Sequence, residues 1–460
     1  MRQQADVVIC GAGICGVSAA YHLAVRHGLQ RIVLVDEREP LTFTSDKSTE
    51  CYRNWWPGPG DTMVRFMNRS IDLLEELADE SGNYFGLNRR GYVFLTADPA
   101  RAAEFERSAR EISALGAGPL RVHDGRSEEG VYQPSPPEGY REQPEGADLV
   151  LDPAVIRRWF PFVTEDVVAM LHTRRCGWLS AQQLGMYLLT KARACGVELV
   201  TGRVVNVGVE NGRVHTVHVA QNGTVTQIQT RCFVNASGPF LRQTGQMLGV
   251  DLPVFNELHG KISIKDHLGI VPRDVPLMIW SDPVYLLWSE EERAELAQDP
   301  ETRWLLEQFP AGVHFRPEGG ADSPILLILW TYHLEPQEVV WPPQFDPEYP
   351  EVVMRGLVRM IPGLEAYIGR MGKPFVDGGY YCKTRENRPL IGPLPIEGAY
   401  VFGAVSGYGI MASMAGGELL AAHITGAELP DYAPAFLLSR YDDPTYRAML
   451  ANWDATAGQL

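Results

Sequence analysis

An α/β fold carrying an α+β insert is what this 460-residue sequence predicts, on three observations. The chain opens as strand, glycine turn and helix. Its middle holds two Asn-Gly turns between alternating apolar residues, and a second strand-glycine-helix unit stands near its end. Strands that alternate with helices form parallel sheets, whereas Asn-Gly turns, both of whose residues take positive φ, join antiparallel strands.

Val7-Val8-Ile9-Cys10 is the first strand. It is followed by Gly11-Ala12-Gly13-Ile14-Cys15-Gly16, a helical stretch to about Gly28, and a second strand Ile32-Val33-Leu34-Val35 that stops at Asp36 and Glu37. This is the spacing of a Rossmann-like dinucleotide-binding unit. Gly11 makes the tight turn, Gly13 lets the backbone approach a pyrophosphate, and Gly16 lets helix and strand pack closely. The unpaired N–H groups of the helix N-terminus favour the anion. Asp36, about twenty residues beyond Gly16, is placed to accept hydrogen bonds from a ribose.

The mid-chain meander has strands at 204–209, 214–219 and 224–229, turned by Asn211-Gly212 and Asn222-Gly223, and a further strand ends at Ser237-Gly238. Before it, a helix over 181–195 places Leu184, Leu188 and Ala192 on one face to cover a sheet. Near the end, a strand at 400–405 meets Ser406-Gly407-Tyr408-Gly409 and a helix over 410–424. Residues 256–337 hold a strand at 325–330, a polar helical stretch at 290–308, and Trp280, Trp288 and Trp330. These pieces predict a discontinuous nucleotide-binding domain of residues 1–84, 150–255 and 370–460. A second, mixed-sheet substrate-binding domain is expected from 85–149 and 256–369.

The length calls for two cores, and a composition of 45% hydrophobic and 21% charged residues is that of a globular protein. A net charge of −16 argues against nucleic acid or an anionic membrane as partner and leaves small molecules. The seven cysteines lack metal-ligand spacing, so no metal is expected, and their odd number suits a reducing compartment. The stretch 401–420 is too rich in glycine, and carries Glu418, to span a bilayer. With no charged and apolar leader ahead of the first strand, a cytoplasmic protein is expected.

Together these blocks resemble the D-amino-acid oxidase superfamily of FAD enzymes, most closely the branch of sarcosine oxidases (beta subunits and monomeric forms) and dimethylglycine dehydrogenases. Besides the first glycines, the resemblance rests on Lys47-Ser48-Thr49-Glu50-Cys51-Tyr52-Arg53, on Val234-Asn235-Ala236-Ser237-Gly238-Pro239, on Phe315-Arg316-Pro317-Glu318 and on residues 384–392. It departs at Thr384-Arg385-Glu386, where relatives read Thr-Pro-Asp, and at Tyr408, where many have histidine. Met411 and Tyr381 stand where some relatives place a lysine and an arginine. The resemblance implies FAD, with the first block on ADP, Lys47, Ser48 and Thr49 near the ribityl chain or pyrophosphate, and Val204 against adenine. Ser237 and Gly238 would pass beside the dinucleotide, and Gly407, Tyr408, Gly409, Ile410 and Met411 would hold the isoalloxazine. The late Gly-Asp pair of aromatic hydroxylases and the cysteine pair of disulfide reductases do not appear.

The implied reaction oxidises the C–N bond of an amine or amino acid, N-methyl, secondary or D, by hydride transfer to flavin N5, giving an imine that hydrolyses. Such chemistry asks for a neutral amine and an anchored far end. Arg53 leads as the anchor of a carboxylate, although Trp55 and Trp56 beside it offer rings for plain stacking. Tyr381, Tyr408, Trp330 and His333 complete the expected catalytic wall, with Tyr285, Trp288 and His259 as further candidates; His259 and His333 read as satisfied structural histidines rather than as acid or base groups. Cys382 lies nearer Thr384 than the flavin-linking cysteine of some relatives, so non-covalent FAD is expected. The aliphatic strand at 325–329 lacks the lysine that oxidases of this type often keep, which tilts the acceptor from O2 toward a redox carrier. Two alternatives stay open. One is a 2-hydroxy-acid or glycerol-phosphate type dehydrogenase, whose phosphate-bearing substrates are disfavoured by the lack of a basic cluster in 256–337; the other is a non-catalytic FAD-binding subunit of a larger complex, and assembly as a homo- or hetero-oligomer stays open.

Overall fold

A computed structural model of the chain describes residues 3–125 and 131–453. Residues 1–2 and 454–460 of the expected nucleotide-binding domain, and 126–130 of the expected insert, lie outside the described residues. A six-stranded sheet runs in the order Leu390–Pro393, Ala399–Gly403, Phe233–Asn235, Val7–Cys10, Ile32–Asp36, Glu198–Thr201, parallel throughout except for its first pair.

Both faces of this sheet are covered, which is why its strands are apolar at successive positions. Val7, Ile9, Ile32 and Leu34 pack beneath the helices Ile14–Tyr21, Ala181–Ala194 and Gly409–Thr425. Val8, Val33, Val35 and Phe233 pack beneath the meander Arg203–Glu210, Arg213–Gln221, Thr224–Gln229. Its turns form as expected: Asn211 and Gly212 have φ of 52° and 77°, Asn222 and Gly223 φ of 48° and 77°.

The second sheet has nine strands, mixed in direction, in the order Phe375–Lys383, Phe255–Lys265, Ile325–Leu329, His314–Glu318, Leu277–Trp280, Tyr92–Thr96, Ala169–Thr173, Ala147–Val150, Leu120–His123. The helix Tyr349–Met360 covers one face over a core that includes Ile262, Ile264, Phe315 and Ile328. Two strands lie across the expected boundaries. Ala169–Thr173 and Phe375–Lys383 belong to the nine-stranded sheet, although the sequence assigns 150–255 and 370–460 to the nucleotide-binding domain. Long pairing draws them over: the last strand matches Phe255–Lys265 continuously from Phe255↔Lys383 to Ser263↔Phe375. The helical stretch expected at 290–308 is also cut short. It forms as Glu290–Gln298 and a 3-10 turn Arg303–Leu306, because Pro300 holds Asp299 extended at φ −96°, ψ 119°.

Candidate functional site

The first glycine turn is built by close approach. Gly11 has φ of 105°, and a Cβ there would lie 2.3 Å from the carbonyl oxygen of Ala236; a Cβ on Gly16 would lie 1.8 Å from that of Gly11. At the end of the second strand, Asp36 accepts the N–H of Ala12 at 2.7 Å and of Arg38 at 2.9 Å, so the carboxylate braces the turn while lining the cleft. Burial pushes its carboxyl pKa up, against those two N–H groups. The cleft, about 350 Å³, runs past Glu37, Val204, Ser237 and Gly238. At the start of the helix Ile14–Tyr21, the N–H of Ile14 donates to Ser45 Oγ at 2.9 Å. A helix N-terminus satisfied only by a rotatable hydroxyl is a fitting place for a phosphate oxygen. Ser45 and its neighbour Thr44, which line this cleft, were not singled out in the sequence; the signal was the Thr-Ser pair just ahead of Lys47.

The cleft continues through Gly13, Ser45, Ala236 and Gly238 into a second cavity lined by Ile14, Cys15, Ser48, Cys382, Gly407 and Ile410. Here the helix Gly409–Thr425 begins at Tyr408 without a side-chain cap, so its positive end faces the cavity. Backbone strain collects on this wall: Ala404 and Ser406 have φ of 54° and 46°. A Cβ on Gly407 would strike the Tyr381 ring at 2.3 Å, which lets the loop lie against that ring. A long cleft with a phosphate seat at one helix end and a second uncapped helix end at its far cavity suits an extended dinucleotide.

Beyond Tyr381, Ser406 and Gly407 the space opens into a cavity of about 60 Å³ whose wall includes Arg53, Tyr92, His259, His314, Tyr408 and Met411. Arg53 is buried, with its guanidinium 5.0 Å from the Trp56 ring centre, and burial pulls its pKa down. Tyr408 donates its hydroxyl to the carbonyl of Asn387 at 2.6 Å and meets Trp56 edge-on, so it is a fixed wall. His314 is buried with Nδ1 2.8 Å from the carbonyl of Gly312. Burial lowers its pKa to about 4, with the charges of His259 and Arg53 adding to the effect and that carbonyl opposing it.

Of the residues expected in the site, Arg53, Tyr381 and Tyr408 meet at this cavity, and Thr49 and Met411 line it rather than the one before it. Lys47 turns away: its Nζ sits 2.9 Å from Asp377, and it lines none of these spaces. Trp330 and His333 also fall elsewhere. Side chains alternate along a strand, so Leu329 faces the cavity while Trp330 faces the helix-covered side. There the Trp330 indole donates to the carbonyl of Pro310, and His333 pairs with Asp346 at 3.0 Å in a separate depression. Tyr285 is exposed, and Trp288 donates to the carbonyl of Leu305 beneath the Arg355 guanidinium. The sequence offers His259 only as a further candidate that reads as a structural histidine, and Tyr92, His314 and Thr331, which line the same cavity, are not singled out at all. Among the described residues no helix is long and apolar enough to cross a membrane.

Comparison with known proteins agrees with this geometry. Residues 6–423 match the family DAO, FAD dependent oxidoreductase. Dimethylglycine dehydrogenase from Rattus norvegicus is 23% identical over 93% of this chain and 44% of its own length. The chain thus spans about half the length of the curated relatives it matches first. Among solved structures, L-proline dehydrogenase from P. horikoshii superposes with a TM-score of 0.71 at 19% identity, covering 99% of this chain and 100% of that one. Glycine oxidase from Geobacillus kaustophilus gives 0.71 at 16% identity over 95% and 99%. These likenesses establish the fold, and the family match establishes the cofactor: the chain belongs to the DAO family of FAD-dependent oxidoreductases.

Proposed function

We propose that the protein oxidises the C–N bond of a small amino acid in N-methyl, other secondary or D form, yielding an imine that hydrolyses after release. The observation that carries this reading is the buried Arg53 guanidinium on the wall of the small cavity adjoining the cofactor cleft. A guanidinium pairs with a carboxylate through two parallel hydrogen bonds and so sets orientation as well as charge. When bound, FAD supplies the acceptor for the hydride. The protein's part is to anchor the carboxylate at Arg53, to hold the carbon end against the walls of Tyr381, Tyr408 and Met411, and to keep water out of a space of about 60 Å³. The names of similar proteins, which include dimethylglycine dehydrogenase and glycine oxidase, support the same substrate class.

Two finer features belong to the proposal. FAD is held non-covalently: burial pushes the Cys382 thiol up to about 12, which keeps it from acting as a thiolate nucleophile. The electron acceptor is a carrier rather than O2. Lys261 binds the carbonyls of Asp46 and Ser48, Lys383 pairs with Glu257 and Lys47 with Asp377, and none of these ammonium groups lines the cavity. Anaerobic bleaching of the flavin by a panel of N-methyl, cyclic and D-amino acids is the test. Bleaching by a member of the panel, with substrate affinity falling in Arg53→Gln while the flavin spectrum is kept, is expected; a flavin that only hydroxy acids reduce refutes it.

A further inference from the structure

The strand Phe255–Lys265 presents Glu257, His259 and Lys261 on alternate positions, and Glu257 and His259 are buried against the neighbouring strand Phe375–Lys383. Glu257 lies 3.2 Å from the ammonium of Lys383 and 3.2 Å from Nε2 of His259. The His259 ring lies flat on Tyr381, centroids 4.0 Å apart, and its Nδ1 is 2.8 Å from Oγ1 of Thr331. His259 and Thr331 both line the small cavity that holds Arg53.

The hydrogen-bond chemistry sets the tautomer. An ionised carboxylate only accepts, so Nε2 carries the proton toward Glu257 and a neutral ring leaves Nδ1 as an acceptor for the Thr331 hydroxyl. Protonation at Nδ1 reverses that bond: the ring N–H donates to Thr331 Oγ1, and the hydroxyl proton turns elsewhere. The pair therefore forms a two-position relay from the cavity wall to a buried imidazole that Glu257 stands ready to pair.

Building on the amine-oxidising reading, we infer that His259, through Thr331, takes the proton that an incoming ammonium must lose before its C–H bond can react. The substrate N–H bond breaks and its electron pair stays on nitrogen. The proton passes to Thr331 Oγ1 as the hydroxyl's own proton passes to Nδ1, leaving a neutral amine and an imidazolium beside Glu257; nothing is oxidised in this step. The groups around the ring suit the role. Glu257 favours the charged form and Lys383 on the paired strand opposes it, while Arg53 and the His314 ring, itself kept neutral by burial, line the same cavity and Tyr381 and Leu329 supply neutral walls. Burial, the largest influence, lowers the His259 pKa, so the resting ring is neutral and its Nδ1 accepts the Thr331 hydroxyl.

The test follows the pH dependence of anaerobic flavin bleaching by an amine substrate, in the holoenzyme and in His259→Gln and Thr331→Val. With the relay intact, the rate is nearly level from about pH 7 to the amine's own titration near 10. Without it the proton must be lost before binding, so the rate of each variant climbs about tenfold per pH unit over that range. A purely structural role would lower the rate equally at every pH. Thr331→Val removes one hydroxyl and keeps the buried charges, so it decides the matter should His259→Gln fail to hold FAD. Level profiles in the variants overturn the relay and leave amine oxidation standing; a wild-type flavin that no amine bleaches at any pH overturns both.

Discussion

Replacing Gly16 with alanine should weaken FAD binding and the fold together. A Cβ there would sit 1.8 Å from the Gly11 carbonyl oxygen, where ordinary contact begins at 3.4 Å, so the helix Ile14–Tyr21 and the turn must part by about 1.6 Å. Overpacking of this kind costs about 1–3 kcal/mol. Displacing the helix end also moves the N–H groups that face the cleft, and a loss of that size in the complex raises the FAD dissociation constant about 5- to 150-fold. Two other glycines separate packing from cofactor contact. A Cβ on Gly13 would meet only Ser45 Oγ, at 3.2 Å, so Gly13→Ala should spare the apoprotein's melting temperature and still weaken FAD by crowding the phosphate seat. Gly28 has φ of 72° and nothing within 4 Å, so Gly28→Ala should lose about 1 kcal/mol of apoprotein stability with FAD affinity kept. Titration of apoprotein with FAD, followed by flavin fluorescence, together with thermal unfolding of both forms, reads all three. A Gly16→Ala protein that binds FAD as the wild type does and melts at the same temperature would refute the reasoning.

Asp148 is buried among Arg121, Arg174 and His123 at 2.5 to 2.7 Å. Burial alone would raise its carboxyl, but these partners hold it well below the usual carboxylate range. Asp148→Asn strands the buried Arg174 charge and should lower unfolding free energy by about 3–5 kcal/mol in chemical denaturation, whereas a loss under about 1 kcal/mol would show the cluster to be dispensable. Glu50 is pushed from 4.5 up to about 7 by burial, with Glu318 adding and Arg316 and Lys261 opposing. Its folded-state value is the higher one, so the stability it contributes is full below about pH 4.5 and is lost as pH rises through about 7. Glu50→Gln should therefore flatten the fall in melting temperature across that window, and an unchanged slope would count against the assignment. Acid precipitation of the holoenzyme should release all the yellow colour to the supernatant, in wild type and in Cys382→Ser alike; colour retained in the wild-type pellet alone would identify a thioether.

The cofactor half was legible because its residues act through backbone. Gly16 and the two Asn-Gly turns are local devices whose geometry depends on a few neighbouring residues, and Gly11 and Asp36, though they meet Ala236 and the N–H of Ala12, are positioned by the same strand-turn-helix spacing. The substrate half depends on which face of a strand a side chain takes, and one residue of register decides that. Trp330 and Leu329 are adjacent, yet only Leu329 reaches the cavity. Lys47 sits within a matching motif, but its destination was set by Asp377, 330 residues away in the chain, on a strand that the sequence assigned to the same nucleotide-binding domain and the structure pairs into the nine-stranded sheet.

The nine-stranded sheet itself shows where such a signal resides. A sheet with a helix layer on one side and a cofactor domain on the other needs apolar residues toward the helices and tolerates polar ones toward the cleft. On Phe255–Lys265 this appears as Ile262 and Ile264 in the core, against Glu257, His259 and Lys261 on the alternate positions. Buried polar residues must find partners or destabilise the fold; Glu257 and His259 find theirs on the same side, in Lys383 and Thr331, whereas others find them across the domain junction. Lys261 ties the carbonyls of Asp46 and Ser48, and Arg316 that of Thr49 at 2.6 Å. Three carbonyls of one loop are thereby drawn toward the sheet, while Ser48 and Thr49 face the two cavities on the other side. Polar residues at every second position of a strand whose other positions are apolar thus mark the face that meets the cofactor domain, and for His259 that face is also the cavity wall.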